Sequence, residues 1–151
     1  MFLSGPSAEQ RPRFSPDGRW LAYESNESGA FEIYVRPFPG PGGKFQISTG
    51  GGTTAVWSRA RRELLDLAPD RRIMVVPYTA AGDAFQAEKP RVWSETPVQV
   101  RTFGGGSFDL HPDGERVVMA PGTAATAGPT HVTLWFNFFD ELRRLAPVTK
   151  R

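Results

Sequence analysis

The sequence predicts an all-β protein built from repeated antiparallel sheets. One phrase, a strand end followed by a Pro-Asp-Gly turn and a second strand, occurs at Phe14–Tyr23 and again at Leu110–Met119. A weaker copy runs from Trp57 to Leu65, between the two clear ones. The turn prolines Pro16 and Pro112 are 96 residues apart (112 − 16), or two steps of about 48. A repeat of this length is typical of the antiparallel four-stranded blades of a β-propeller.

Composition agrees with a chain of many short strands. A hydrophobic content of 39% and an aromatic content of 12% argue against disorder, and the 16 glycines and 14 prolines suit tight turns. The 151 residues are enough for one domain, and we treat residues 1–151 as a single partial propeller domain. A formal net charge of +2 gives little support to nucleic-acid binding. The absence of cysteine excludes disulfides and thiolate metal sites.

The sequence contains no signal for a membrane or for export. Its apolar runs are far shorter than the roughly 20 residues of a membrane-spanning helix. Met1–Gly5 has neither the basic region nor the apolar core of a secretory signal. We therefore expect no membrane span and, for the chain as written, a cytoplasmic location, while the compartment of any parent protein stays open.

The first unit, about residues 10–50, is predicted to be a meander. Strict alternation places Phe31, Ile33 and Val35 on one face of a strand. The prolines of segment 37–43 cannot donate to a sheet, so this segment is predicted to be a loop. The first predicted strand ends at Phe14, which is expected to be buried. The other predicted strands are 19–24, 31–36 and 44–48.

The second unit, about residues 51–95, opens after Gly50–Gly52. Its predicted strands are 53–58, with Trp57 as a core residue, then 63–67, 72–78 and 86–93. Ala60 and Arg61 stand where the clear copies have Asp and Gly. Because glycine readily adopts a positive φ, its loss is expected to strain this hairpin or to change its turn type.

The third unit, about residues 96–137, again follows a glycine run, Gly104–Gly106. Strands are predicted at 116–120 and 131–136, with a loop of small residues at 121–130 between them. One helix is predicted at about 138–146, where Pro147 ends it. Its apolar residues recur at the spacing of an amphipathic stripe: Trp135, Phe138, Phe139, Leu142 and Leu145.

Three stretches carry a resemblance to a known family: 14–29, 35–42 and 135–142. They resemble TolB-like, WD-repeat-like bacterial propellers, above all the propeller at the C-terminus of large sensor proteins that often carry serine/threonine kinase domains. The resemblance covers nearly the whole chain and implies a propeller interaction or sensor module, in a family whose parent proteins are often extracytoplasmic. The chain resembles the last three blades of a longer propeller. It has no kinase signature.

Three blades do not close a ring, which typically has 4–8. Each blade buries its faces against its neighbours, so a three-blade arc leaves two end faces to be covered. Two copies would give six blades with twofold symmetry. The sequence therefore predicts a homodimer, with the C-terminal helix as an additional cover.

Several residues invite a chemical interpretation, but the repeats explain them structurally. Asp17 and Asp113 occupy equivalent turns, where an Asp side chain accepts backbone N–H groups. The runs Gly50–Gly52 and Gly104–Gly106 precede strands at matched positions, so we interpret them as architecture and not as phosphate cradles, which precede helices. His111 replaces Ser15 of the first copy.

Neither a metal site nor a nucleophile follows from the remaining candidates. His111 and His131, the only histidines, fall in separate strands, and no Gly-x-Ser-x-Gly elbow occurs. The arginines of the second unit lack interleaved aromatic residues and are interpreted as solvated turns rather than an anion site: Arg59, Arg61, Arg62, Arg71 and Arg72.

The sequence therefore predicts a non-catalytic interaction or sensor module that assembles into a closed ring, and it assigns no catalytic, cofactor-binding or metal-binding residue. A protein or small-molecule ligand would bind near the ring axis, close to 50–54 and 104–107. Two alternatives stay open at this point. One is a hydrolase or lyase with a pocket at the axis, and the other is a truncated propeller remnant without an independent role.

Overall fold

The computed structural model describes residues 6–98 and 108–119, and these residues form antiparallel β-sheets without a helix. Within these residues no helix is long and apolar enough to cross a membrane. The predicted helix 138–146, the strand 131–136, the loop 121–130 and Gly104–Gly106 lie outside the described residues. The strands are β1 Glu9–Phe14, β2 Trp20–Ser25, β3 Glu32–Pro37, β4 Phe45–Gln46, β5 Thr53–Trp57, β6 Glu63–Leu67, β7 Ile73–Ala81, β8 Ala84–Ala87, β9 Arg91–Ser94, β10 Phe108–Leu110 and β11 Val117–Met119.

The first sheet is a four-stranded meander in the order β1-β2-β3-β4. Strand β2 pairs with β3 along its whole length, from Trp20 opposite Pro37 to Ser25 opposite Glu32. The alternation in the sequence predicted this strand correctly, since Ile33 and Val35 share one buried face. The strands predicted at 19–24, 31–36 and 44–48 therefore occur, with the last shortened to Phe45–Gln46, and β1 precedes them.

The second sheet contains β5 to β9, and the long strand β7 organises it. One edge of β7 pairs with β6, while its other edge pairs with β9 near Ile73 and with β8 near Ala81. The single strand predicted over 86–93 is wrong, because two separate strands occupy this segment. Pro90, which cannot donate to a ladder, lies between them, and Gly82 with φ 58° provides a tight turn back from β7.

The third sheet, within the described residues, is the hairpin of β10 and β11. Its strands pair from Phe108 opposite Met119 to Leu110 opposite Val117. The turn between them has the same hydrogen bonds as the turn between β1 and β2. Gly18 with φ 70° donates to the Ser15 carbonyl, and Gly114 with φ 75° donates to the His111 carbonyl.

The second copy of this turn lacks its glycine and has a different hydrogen-bond pattern. The Arg61 N–H donates to the Ser58 hydroxyl at 3.2 Å instead of to a carbonyl. The Glu63 N–H donates to the Arg61 carbonyl at 2.9 Å. The hairpin still closes, since the Ser58 N–H donates to the Glu63 carbonyl. The hydrogen bonds of this turn thus differ from those of the two clear copies, as expected from the loss of its glycine.

The three sheets stack face to face in chain order, with the second sheet in the middle. Alternate residues of β6 point to opposite sides, Leu64 to the first sheet and Leu65 to the hairpin. The cluster between the first and second sheets contains Trp20, Ala22, Ile33, Val35, Ile47, Ala55, Trp57, Leu64, Val76 and Phe85. The cluster on the other side contains Leu65, Leu67, Ile73, Val75, Val98 and Phe108. The middle sheet is therefore buried on both faces.

Phe85 of β8 joins the aromatic side chains between the first two sheets. Its ring stacks on Tyr78 at a centroid distance of 4.9 Å and tilts against Trp20 at 5.0 Å. The rings of Phe45 and Trp57 lie within 6.3 Å of it. The short hairpin of β7 and β8 thus fills the gap between the sheets with one large ring.

The carboxyl group of Asp66 is buried and has no hydrogen-bond or ion-pair partner among the described residues. Asp66 of β6 is only 2% exposed, and no described residue donates a hydrogen bond to it or forms an ion pair with it. Burial, and secondarily the like charge of Glu32, raise the pKa of Asp66 to about 7. The folded protein therefore holds a proton on Asp66 at a pH where the unfolded chain has released it.

Replacement of Phe85 by alanine is expected to lower the free energy of unfolding by about 3–5 kcal/mol, because the substitution leaves a cavity among four rings. The control is Val92→Ala in β9, since Val92 is 37% exposed, and a loss below about 1 kcal/mol is expected there. Urea unfolding followed by tryptophan fluorescence measures both. Equal losses for the two variants would contradict the role given to β8.

The raised pKa of Asp66 predicts that its contribution to stability falls with rising pH. The unfolded chain loses this proton near pH 4 and the folded chain near pH 7. The loss of unfolding free energy caused by the buried carboxyl therefore grows between these two pH values and is constant above them. Asp66→Asn removes the penalty, and the variant is expected to be more stable than the wild type above pH 7, by up to about 4 kcal/mol. Urea unfolding at pH 4, 6 and 8 measures the difference, which would be independent of pH if the carboxyl titrated normally.

Candidate functional site

The first strand of each sheet borders a common cleft of about 1200 Å³. Strand β5 of the middle sheet contacts β1 on one side and β10 on the other. Within residues 6–98 and 108–119, β1, β5 and β10 are each an edge strand, with one neighbour only in the strand order. Three edge strands from three sheets therefore meet at one place, and their side chains form the walls of the cleft.

Irregular backbone at matching points shapes this wall. The register of β1 shifts between Gln10 and Arg13, and that of β5 shifts between Thr53 and Val56. Within the first shift Arg11 has φ 50°, and within the second Thr54 has φ 57°. A left-handed backbone is unfavourable for residues with a Cβ, above all for a β-branched one, so both positions need support from their surroundings.

The support comes from the carboxylate of Glu24 in β2, which is completely buried. It accepts hydrogen bonds from Gln10 Nε2 at 2.8 Å and from Arg11 Nη1 at 3.1 Å. From the neighbouring sheet it accepts the backbone N–H of Thr54 at 2.7 Å. One carboxylate therefore holds both irregular segments, and through them the relative position of the first two sheets.

A second hydrogen bond joins the same two sheets beside the cleft. The Trp57 indole N–H of β5 donates to the Arg13 carbonyl of β1 at 3.0 Å. The rest of the Trp57 ring lies in the core, as the sequence predicted. The unpaired edge of β1 is thus partly satisfied by a side chain instead of by another strand.

The surface of the cleft combines positive charge with exposed apolar side chains. Arg11, Arg13 and Arg59 line it, and Asp109 is the acidic residue among its described lining. Val118 is 68% exposed on the same cleft. The net positive lining favours an anionic partner.

Phe14 corrects a sequence expectation, because it was predicted to be a buried strand end and is 54% exposed. It ends the edge strand β1 and lines the cleft instead of packing between the sheets. Its ring meets Phe38 edge to face, with centroids 4.9 Å apart. The sequence pattern predicted the end of a strand at this position correctly. It could not tell which strand would lie at the edge of the sheet.

The Ser15 hydroxyl on the cleft wall is occupied by structural hydrogen bonds. Ser15 Oγ donates to Asp17 Oδ1 at 2.6 Å and accepts the Trp20 N–H at 3.0 Å. A serine nucleophile needs a base that takes the hydroxyl proton, usually a histidine. Asp17 instead belongs to the turn itself, and its pKa lies below the usual range because of the Ser15 hydroxyl. This arrangement stabilises the hairpin.

The two aspartates that the sequence singled out have the turn role expected of them. Asp17 accepts the Arg19 N–H at 3.1 Å, and Asp113 accepts the Glu115 N–H at 2.9 Å. The second bond is the main reason that the pKa of Asp113 is strongly lowered. His111 contacts Asp113 at 2.9 Å, within the same turn. The other histidine, His131, lies outside the described residues.

The arginines of the second unit are spread over its two turns and do not form one patch. Arg61 pairs with Glu115 at 3.0 Å, and Arg62 donates to the Ala80 carbonyl at 3.3 Å. Arg72 lies 3.6 Å from Glu95. Of the five arginines in this group, Arg59 lines the cleft. The interpretation as solvated turns therefore holds for the turn residues, while Arg59 belongs to the candidate site.

The glycine run Gly50–Gly52 has an architectural function. Gly50 and Gly51 adopt φ 85° and 103°. A Cβ on Gly51 would collide with Pro69, and one on Gly52 would collide with Ser48. The Gly51 N–H donates to Glu32 at 2.7 Å. The run therefore lets the loop after β4 close tightly against the neighbouring sheet.

Glu24→Ala is expected to lower the free energy of unfolding by about 2–4 kcal/mol, because three donors lose their acceptor and a buried pair is broken. Glu27→Ala is the matched control, since Glu27 forms a surface ion pair with Lys44 and its loss is expected to change stability by about 0–1 kcal/mol. Urea unfolding measures both variants. If the two had equal effects, Glu24 would not hold the wall of the cleft.

Comparison with known proteins leaves the chain without an assigned family. No protein-family model matches it, and a search of curated proteins gives no match. The candidate functional site is therefore the cleft itself, with its three edge strands, its arginines and its exposed apolar side chains.

Proposed function

We propose that the chain is a non-catalytic interaction module built as a β-propeller arc. One observation carries the proposal: three sheets stack in chain order, and their first strands lie side by side around one cleft. In a propeller the blades follow one another around a central channel, so one edge strand of each blade faces the axis. The resemblance of 14–29 and 35–42 to TolB-like, WD-repeat-like sensor propellers supports the same function.

In this proposal the cleft is a segment of the axial channel, and the partner binds there. Arg13 and Arg59 would attract an anionic group on a protein or small molecule, while Phe14 offers apolar contact. The hydroxyl of Ser15 is held by Asp17 and Trp20, which favours binding over catalysis. The described lining contains no histidine.

The arc is proposed to close by self-assembly. On β10–β11, Phe108 and Leu110 face the middle sheet, whereas Asp109 and Val118 form a cross-strand pair on the opposite face. Val118 is 68% exposed there, and Met119 on the same strand is 39% exposed. A sheet face of this kind is normally covered by the next blade. Two copies with three units each would supply six blades related by a twofold axis.

Light scattering of the purified 151-residue chain at about 50 µM tests the proposal. The expected mass is twice the 16.7 kDa of one chain. Val118→Glu is expected to shift the protein to monomer, because the interface would bury an unpaired charge. Gln86→Glu adds the same charge to the exposed part of β8 and is expected to leave the mass unchanged. A folded monomer at this concentration would contradict closure by self-assembly.

A further inference from the structure

A second cavity, of about 500 Å³, lies between the first two sheets and away from the cleft. The loop after β4 forms one wall with Ser48 and Gly51, while the other wall comes from Asp66 of β6 and Met74 of β7. Its volume is within the range of small-molecule sites, about 300–1000 Å³. Neither the proposed interaction cleft nor the assembly surface includes it.

Asp66 is the unusual group in this cavity. Its carboxylate has no hydrogen-bond or ion-pair partner among residues 6–98 and 108–119, although the residue is 98% buried. Within the same residues, no side-chain oxygen that lacks a partner is completely sealed from solvent. The carboxylate oxygens of Asp66 therefore open to the cavity that the residue lines. A buried carboxylate that faces a cavity without a protein donor is a candidate site for a ligand that supplies one.

The other charged groups around the cavity do not supply this partner. Glu32 repels Asp66 and is itself occupied, since it accepts the Ser48 hydroxyl at 2.5 Å and the Gly51 N–H at 2.7 Å. Asp70 accepts the Arg72 N–H at 3.0 Å. Lys89 lines the mouth as an exposed side chain and forms no ion pair within the described residues. The acidic groups Asp66 and Glu32 therefore make this part of the cavity negative, and no charged side chain of the described residues pairs with Asp66.

The lining distinguishes between kinds of cation. The described residues contain no group of three acidic or histidine side chains placed to hold a metal ion. A quaternary ammonium group is normally held by aromatic rings, and none of the described lining residues is aromatic. A primary ammonium group needs a carboxylate for its N–H donors and an apolar wall for its alkyl stem. Asp66 provides the carboxylate, and the walls are Ala68, Pro69, Met74 and Pro90.

We propose that this cavity binds a primary alkylammonium ion, with the ammonium group donating to the Asp66 carboxylate and the alkyl chain lying along Met74 and Pro69. The charge-assisted hydrogen bond forms where the carboxylate now has no donor. Binding selects the ionised form of Asp66, so the folded protein releases a proton when the ligand binds near neutral pH. The ammonium group comes either from a free amine or from a lysine side chain of a partner.

The pH dependence follows from the groups that face Asp66. Burial, and secondarily the like charge of Glu32, keep the pKa of Asp66 near 7, whereas an alkylamine stays charged up to about pH 10. Because only the ionised carboxylate binds, the apparent affinity is expected to rise about tenfold between pH 6 and pH 8. Above pH 8 it is expected to be constant. If the ion were only attracted to exposed carboxylates, its apparent affinity would be constant between pH 6 and pH 8.

Titration calorimetry of the full chain with n-butylammonium chloride tests the proposal. One ion is expected to bind per chain, with proton release at pH 7 and an affinity at least tenfold weaker in Asp66→Asn. Asp70→Asn is the matched control, because it removes an exposed acidic group from the same cavity and is expected to change the affinity less than twofold. Tetramethylammonium is expected not to bind.

A capped lysine amide, titrated in parallel, distinguishes the two sources of the ammonium group. Tighter binding of the lysine amide than of n-butylammonium would assign the cavity to a partner's lysine, and the reverse would assign it to a free amine. Absence of n-butylammonium and lysine-amide binding at 20 mM, equal affinity in Asp66→Asn, or an affinity independent of pH would overturn the proposal. Because Asp66→Asn is expected to stabilise the fold, loss of binding in that variant would not reflect unfolding.

Discussion

The burial of the middle sheet on both faces is the constraint on which the structure depends. Strand β6 places Leu64 against the first sheet and Leu65 against the hairpin, so neither neighbour could be removed without exposing a row of apolar side chains. A two-layer domain needs only one such surface. Here the second sheet packs against both of its neighbours, so the stability of each sheet depends on the one beside it.

Face-to-face packing alone would allow the sheets to slide, and the polar groups between them fix their position. Glu24 is the main example, because a single buried carboxylate joins Arg11 of β1 to the backbone of Thr54 in β5. The indole of Trp57 adds a bond to Arg13 nearby. Polar contacts of this kind have defined directions, unlike apolar ones, so they determine the shape of the cleft more than the core does.

Much of the fold follows from sequence patterns that act locally. Alternation at Ile33 and Val35 places strand β3, and the glycines Gly18 and Gly114 indicate two turns of the same type. Pairing between distant strands is less predictable. The single strand predicted over 86–93 passes over Pro90, and the length of β7 is what lets two short strands share its edge.

The candidate sites were harder to predict, because their residues come together through packing. Glu24 carries the one available signal, since it continues the inward register of Trp20 and Ala22 and so must be a buried charge. No comparable signal identifies Arg11 or Thr54, whose backbone conformation depends on that carboxylate. Asp66 likewise looks like an ordinary polar position in a strand until the neighbouring sheet covers it.

The irregular backbone of β1 and β5 has a consequence for solubility. A straight, exposed edge strand offers its free N–H and C=O groups to any other extended chain, which is a common route to aggregation. The register shifts around Arg11 and Thr54 interrupt that regular row of groups, and Arg13 places a charge beside it. The edge strands β1 and β5 can therefore border the cleft while resisting the addition of a foreign strand.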